Sequence, residues 1–322
     1  MRDALCKAEP LPSKELDRPG WTHPLRVRAV PPIPARPAFL SHARLRRTSP
    51  ITQYAVAAAQ EALGEDASLV AAGTLALGIV LCVMTGCVNY SRRFYDETLK
   101  DPATASPLVF PETVFNAPAS HLGAFLGTTA INYTLVGDPG TFVQGIALAA
   151  DWLLDGRVDG CLVIGAEERD WLAADAYRLF ARKTIVADGA GALYLRREMP
   201  VGDSVQLTAI TRAHSFSNRQ SRGAAARRVR DELPAPNAGD LLCDSVQNVR
   251  RIDADELAAW SDWHGARLSP KVILGEGLAA ASAWQCVAAV DALRQRRCAA
   301  ASVSVVGCNQ QAIGARFVIP EN

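Results

Sequence analysis

The sequence has no excess of charge of either sign. Among 322 residues, 34 Lys and Arg face 33 Asp and Glu, a net charge of +1. A nucleic-acid protein normally carries a basic excess or stripe, so that balance argues against one. It gives no support to a polybasic membrane anchor either. Metal-binding spacing is also missing. The eight cysteines (Cys6, Cys82, Cys87, Cys161, Cys243, Cys286, Cys298 and Cys308) include no CxxC pair, and the five histidines do not cluster with them. No zinc site and no metal or other cofactor is expected. The N-terminus, MRDALCKAEPLPSKELD, lacks the apolar stretch of a signal peptide. The cysteines therefore read as reduced, cytoplasmic thiols.

What is present is a globular composition, 49% apolar and 21% charged. The length suits one large domain or two ordinary ones, with ample core. Residues 67–91 carry no charge and would be long enough to span a bilayer. But the segment holds Gly73, Gly78 and Gly86 and divides into a helix end, the run LALGIVLCVM and a turn. It is expected to contain a buried strand, not a membrane span.

Residues 1–45 are proline-rich (PLP, RPG, THP, PPIPARP) and read as an extended arm. Ser49 and Pro50 suit the cap and first position of a helix that ends at Gly64. Two later segments share one pattern. DPGTFVQGIALAADWLLDGRVDGCLVIGAEE and GEGLAAASAWQCVAAVDALRQRRCAAASVSVVGCNQQ each run from a Gly turn through an Ala/Leu helix of about five turns into a β-branched strand. Two related α/β halves are expected, with helices packed on buried strands. Between them, residues 215–237 are polar and Arg-rich and read as solvated surface or loop, with an acidic partner as the alternative.

Several stretches together resemble the β-ketoacyl synthases of the thiolase fold: RLRRTSPITQYAVAAAQEALG, ASPLVFPETVFNAPASHLGAFLG, YTLVGDPGTFVQGIALAADWLLDGRVDGCLVIGAEE, DGAGALYL and PKVILGEGLAAASAWQCVAAVDAL. They follow one another in order between about residues 45 and 315. The resemblance implies an α/β, thiolase-like fold of two related βαβαβ-type halves, each with a five-stranded sheet, around buried central helices. The arm would occupy 1–45, the N-terminal half 46–200 and a shortened C-terminal half 201–322. The resemblance also implies a dimer, acyl chains as substrates and an acyl carrier protein as donor.

Catalysis in that family uses a cysteine at a helix N-terminus, where the thiol pKa is lowered, and two histidines. The position matching the cysteine is Pro139. Proline supplies neither a nucleophile nor a backbone N–H for an oxyanion. Asp138 and Pro139 read instead as a helix cap and first residue. In KVILGEG, Lys271 and Gly275 stay in step, but Glu276 stands where a histidine is expected. An ionised carboxylate cannot donate to a developing enolate, and an ion pair with Lys271 is the simple reading. The other histidine should fall near Asp244 or Ser245, and neither is one; GCNQQ (residues 307–311) replaces a Gly-Phe-Gly-Gly type turn.

No substitute nucleophile stands out. Cys161 is expected to be buried and inert, and Cys308 lies in the altered loop. His214 adjoins Ser215 and Ser217 in sequence, which is not the spatial pairing a nucleophile needs. Phe110, Phe115, Asn116 and His121 lie in the segment resembling the family's pocket and interface, with His121 expected in a packing or hydrogen-bonding role.

The expected protein is thus an inactive, chain-length-factor-type subunit, as in type II polyketide and aryl-polyene systems. It would pair with an active β-ketoacyl synthase and share its acyl tunnel. The alternatives are an acyltransferase lacking a cysteine nucleophile, with Glu276 as base, and a homodimeric acyl-binding module. Whether the chain is itself an enzyme stays open here.

Overall fold

The structure is a computed structural model that describes every residue except 33, 34, 36, 199–203, 321 and 322. The arm is more ordered than its prolines suggest. It contains helix α1 (Arg2–Lys7) and strands β1 (Lys14–Leu16) and β2 (Leu25–Arg28), the latter two paired antiparallel. Arg28 donates to the carbonyls of Leu11 and Val272, and Leu11 N–H donates to Ile273. These bonds lay the arm across the C-terminal half.

The N-terminal half begins with α2 (Pro50–Leu63), with Ser49 at the cap position and Gly64 at the end. The Ser49 hydroxyl does not cap; it contacts Thr52 and Cys87, and Ile51 N–H goes to the Glu168 carboxylate. The uncharged stretch divides into α3 (Ala67–Ala71), the fully buried β3 (Leu77–Val83) and the start of α4 (Val88–Lys100). Among the described residues no helix is long and apolar enough to cross a membrane. Then follow α5 (Ala117–Leu126), β4 (Asn132–Val136), α6 (Thr141–Leu154), β5 (Gly160–Glu167), α7 (Trp171–Tyr177), β6 (Val186–Ala187) and β7 (Gly189–Arg196). The main sheet has the order β4-β3-β5-β7, with only β7 antiparallel.

The family resemblance implied five strands here, and the described residues form four. The arm that precedes α2 pairs elsewhere: β2 lies parallel to β6 in a small separate sheet. Its prolines lack the N–H groups that a central ladder requires.

The C-terminal half comprises β8 (Gln206–Ile210), β9 (His214–Ser215), α8 (Arg219–Glu232), β10 (Leu241–Cys243), α9 (Arg250–Ala259), β11 (Ala266–Leu268), α10 (Pro270–Leu274), α11 (Ala279–Arg294), β12 (Ala300–Val306) and β13 (Gln311–Val318). Its sheet runs β11-β10-β12-β13-β8, with β9 also on β13.

The two repeated patterns become α6–β5 and α11–β12, with helices of 14 and 16 residues. These helices lie side by side between the two sheets and share one core with Val80, Val163, Val303 and Phe317. Gly165 explains how close they come: a Cβ there would run into the Ala279 carbonyl. The outer faces are covered by α2 and α5 on the first sheet and by α8 and α9 on the second.

The Arg-rich segment is therefore not a solvated loop. Asn218 and Ser221 form a capping box, and Ala225, Ala226 and Val229 pack α8 on the second sheet. Arg222 is buried, donating to the carbonyls of Gly307 (2.9 Å) and Ile252 (2.5 Å) and pairing with Asp255. Short alanine side chains carry little apolar signal, which hid the buried stripe. Arg219, Arg227 and Arg228 remain exposed.

Candidate functional site

The turn between β4 and α6 carries Pro139. The helix starts at Thr141, two residues later than the Asp138–Pro139 cap reading places it, with Gly140 at the cap position. Asp138 is nonetheless used as an acceptor, fully buried and receiving N–H bonds from Gly140 and Gln311, both at 3.1 Å. The second bond reaches across to β13, which pins the turn and stops the helix from extending backward. Burial raises the Asp138 pKa, and these donors oppose that rise. The Pro139 carbonyl accepts from the Ser282 hydroxyl of α11 at 2.5 Å.

Lys271 of α10 and Glu276 meet in an ion pair of 2.8 Å, each side chain 1% exposed. The other oxygen of Glu276 accepts the N–H of Leu278 at 2.8 Å, and the Tyr177 hydroxyl donates to the pair's shared oxygen at 3.2 Å. Leu278 has φ +51°. Its placement immediately before α11 is thus held by a carboxylate acting as a local cap. Cys308 lies against the same group. Burial first, then the charges of Glu276 and Asp138, push its thiol up to about 12. A thiol held in that range is a poor nucleophile at neutral pH.

Asp244, after β10, accepts from the Ser269 hydroxyl at 2.6 Å. Ser245 donates its N–H to Glu256, and its hydroxyl bonds the Ser304 carbonyl. Glu256 also accepts from the Ser304 hydroxyl at 2.5 Å. Burial and the Asp244 carboxylate push Glu256 up to about 8, and burial pushes Glu167 up to about 7.

Both acids hold their protons more tightly folded than unfolded. Stability from these groups is therefore full below about pH 4.3, the ordinary glutamate value, and falls as pH rises through the folded values. Melting temperature is expected to decline by several degrees between pH 5 and 9. Glu256→Gln keeps an acceptor for Ser245 and a donor for Ser304, and should flatten the decline up to pH 8. A variant profile parallel to wild type over that range would contradict the assignment.

The other residues singled out in the sequence are dispersed. Cys161 opens β5, fully buried, its thiol pushed up to about 12 by burial. His214 Nε2 lies 3.0 Å from Glu232, though not aligned for a hydrogen bond. Ser215 follows on the same strand and points to the other face, so His214 cannot serve it as a base. Ser217 N–H donates to Ser221. His121 meets Glu112 at 2.8 Å, while His121 Nδ1 and the second Glu112 oxygen have no partner.

Phe110 (56% exposed) and Phe115 (44%) stand on the surface. Asn116 lines a cleft of about 660 Å³ between α5 and β4, together with Ser120 and Asn132. Sequence reasoning did not find Tyr177, Ser282 or the acceptor role of Asp138 toward β13. Nothing in AYRLF or AAASAW marks a partner distant in sequence.

No family model and no curated protein matches the chain. Solved structures do. A β-ketoacyl synthase from Burkholderia phymatum STM815 has a TM-score of 0.79 at 16% identity, covering 99% of this chain and 95% of its own. The ishigamide ketosynthase/chain length factor scores 0.72 at 17%, covering 92% and 87%. AntDE:AntF, a type II polyketide synthase acyl carrier protein in complex with its ketosynthase bound to the hexaketide, scores 0.75 at 15%, covering 91% and 89%. The chain has the thiolase-like fold of the β-ketoacyl synthases and chain length factors.

Proposed function

We propose that this protein is a non-condensing, chain-length-factor-type subunit of polyketide or fatty acid biosynthesis, aryl-polyene assembly included. It pairs with an active β-ketoacyl synthase and receives chains carried on an acyl carrier protein. One observation carries the reading: within a complete synthase-like fold, the position of the nucleophile is Pro139 and that of a histidine is the ion-paired Glu276. Neither can perform the family's step. Structures of similar fold include a ketosynthase/chain length factor and a ketosynthase–carrier complex.

The partner's seat is the edge strand β4. It pairs only with β3, and Tyr133 (54%) and Val136 (53%) are exposed there. Phe110 and Phe115 extend the apolar face. An open edge with apolar side chains needs covering. The alternative, Glu276 as base, requires a carboxylate free to take a proton. Here one oxygen holds Lys271 and Tyr177 and the other holds Leu278 N–H.

Co-expression with a synthase that carries the cysteine and both histidines is expected to give a 1:1 complex on gel filtration that condenses malonyl units. The chain alone is expected to condense none. Tyr133→Asp with Val136→Asp should abolish the complex while leaving the isolated chain folded. Elongation of an acyl carrier substrate by the chain alone would overturn the reading.

A further inference from the structure

A second cleft, of about 450 Å³, opens beside the Pro139 turn. Thr141 and Gln144 of α6, Ser215 of β9, and Asn309 and Gln310 of the altered loop line it. Asp138 fixes the orientation of these amides. Its backbone N–H can only donate, so the Gln310 side chain must turn its oxygen to it, at 3.2 Å. Its carboxylate can only accept, so Gln311 turns its NH2 that way. The same NH2 then donates to Gln144 Oε1 at 3.1 Å. Asn309 Oδ1 takes the Cys308 thiol at 3.4 Å. Three side-chain amides thus spend their oxygens on the protein. The NH2 groups of Gln144, Asn309 and Gln310, and the hydroxyls of Thr141 and Ser215, have no acceptor among the described residues.

A cleft with surplus neutral donors favours a ligand rich in neutral acceptors. A saturated hydrocarbon would desolvate those donors without compensation. No Lys or Arg lines the cleft, and the Asp138 carboxylate lies behind it, which disfavours an anion. We propose that this cleft binds an oxygenated, carbonyl-bearing acyl chain in preference to a saturated one, with Asp138 as the positioning residue that sets the donor display. The proposal rests on the reading of the protein as an acyl-handling subunit and adds the chemical class of the chain. Val136 also lines the cleft, so it adjoins the face proposed for the partner.

The test is titration calorimetry on the full chain with two amide-linked probes of equal length, 3,5-dioxohexanoyl-pantetheine and hexanoyl-pantetheine. Each neutral hydrogen bond is worth about fivefold in affinity, so two engaged carbonyls should favour the oxygenated probe at least tenfold. Gln144→Leu with Asn309→Leu should reduce that preference below about threefold without weakening hexanoyl binding, on the same scale. Asp138→Asn, which frees Gln311 to turn over, should lower the preference partway; circular dichroism melts verify that each variant is folded. Equal affinities, tighter binding of the saturated probe, no binding of either, or displacement by inorganic phosphate would each overturn the proposal. Gel filtration with the partner synthase on the same preparation separates the two readings. A complex without the preference removes only this inference, and the preference without a complex removes only the subunit assignment.

Discussion

Lys271→Ala is expected to lower the unfolding free energy by about 3–5 kcal/mol, because it leaves a buried carboxylate without its counter-charge. Few groups are as enclosed: both side chains of the pair are 1% exposed. Glu276 keeps two other donors, Leu278 N–H and the Tyr177 hydroxyl, which places the loss toward the lower end of that range. The consequence reaches beyond the pair. Leu278 sits at φ +51° directly before α11, and the Glu276 carboxylate holds its N–H. A protonated or displaced Glu276 therefore loosens the start of the central helix. Glu276→Gln added to Lys271→Ala should recover most of the loss, since the amide oxygen still accepts from Leu278 and no charge is buried. Urea denaturation measures both. A loss under about 1 kcal/mol for the single variant would show that water reaches the pair, contrary to its burial.

Much of the architecture was legible because it follows from patterns with one physical meaning. LALGIVLCVM is too short and too glycine-flanked for a bilayer and too continuous for a half-exposed strand, and it forms the fully buried β3. The two Gly turn–helix–strand segments announce α6–β5 and α11–β12, although the helices are nearer four turns than five. Other features were hidden by chemistry that depends on distant residues. Arg222 looked solvated because an arginine is normally so; only the carbonyls of Gly307, Ile252 and Val306, brought together by β12 and α9, make its burial favourable. The Lys271–Glu276 pair could be read from a spacing of five residues, but Tyr177, 99 positions away, could not. Asp138 was visible as a helix-start residue. Its larger role, receiving the Gln311 N–H, needed the fold to bring β13 alongside.

That contact makes a sharp expectation at Gly307. A Cβ there would fall inside the Asp138 carboxylate, and 3.0 Å from the Gln311 carbonyl. Neither neighbour can yield cheaply. Asp138 is fully buried and receives N–H bonds from Gly140 and Gln311. Gly307 is itself tied at both ends, its N–H to the Gln311 carbonyl and its carbonyl to Arg222. Gly307→Ala should therefore cost about 1–3 kcal/mol, the usual range for forcing an extra carbon into a packed site. Asp138→Ala alone should also destabilise, by leaving the buried Gln311 and Gly140 N–H groups without their acceptor. The two changes together should cost clearly less than their sum, because the smaller residue at 138 makes the room that alanine at 307 needs. A double-mutant cycle by thermal and urea melts reads this directly. Strict additivity would mean that the nucleophile-position turn and the GCNQQ loop relax independently. A coupling of about 1 kcal/mol or more would mean that they form one packed unit. On that outcome, restoring catalysis would require changing both together, since a cysteine placed at Pro139 would still face the Asp138 carboxylate, the ion-paired Glu276 and no histidine.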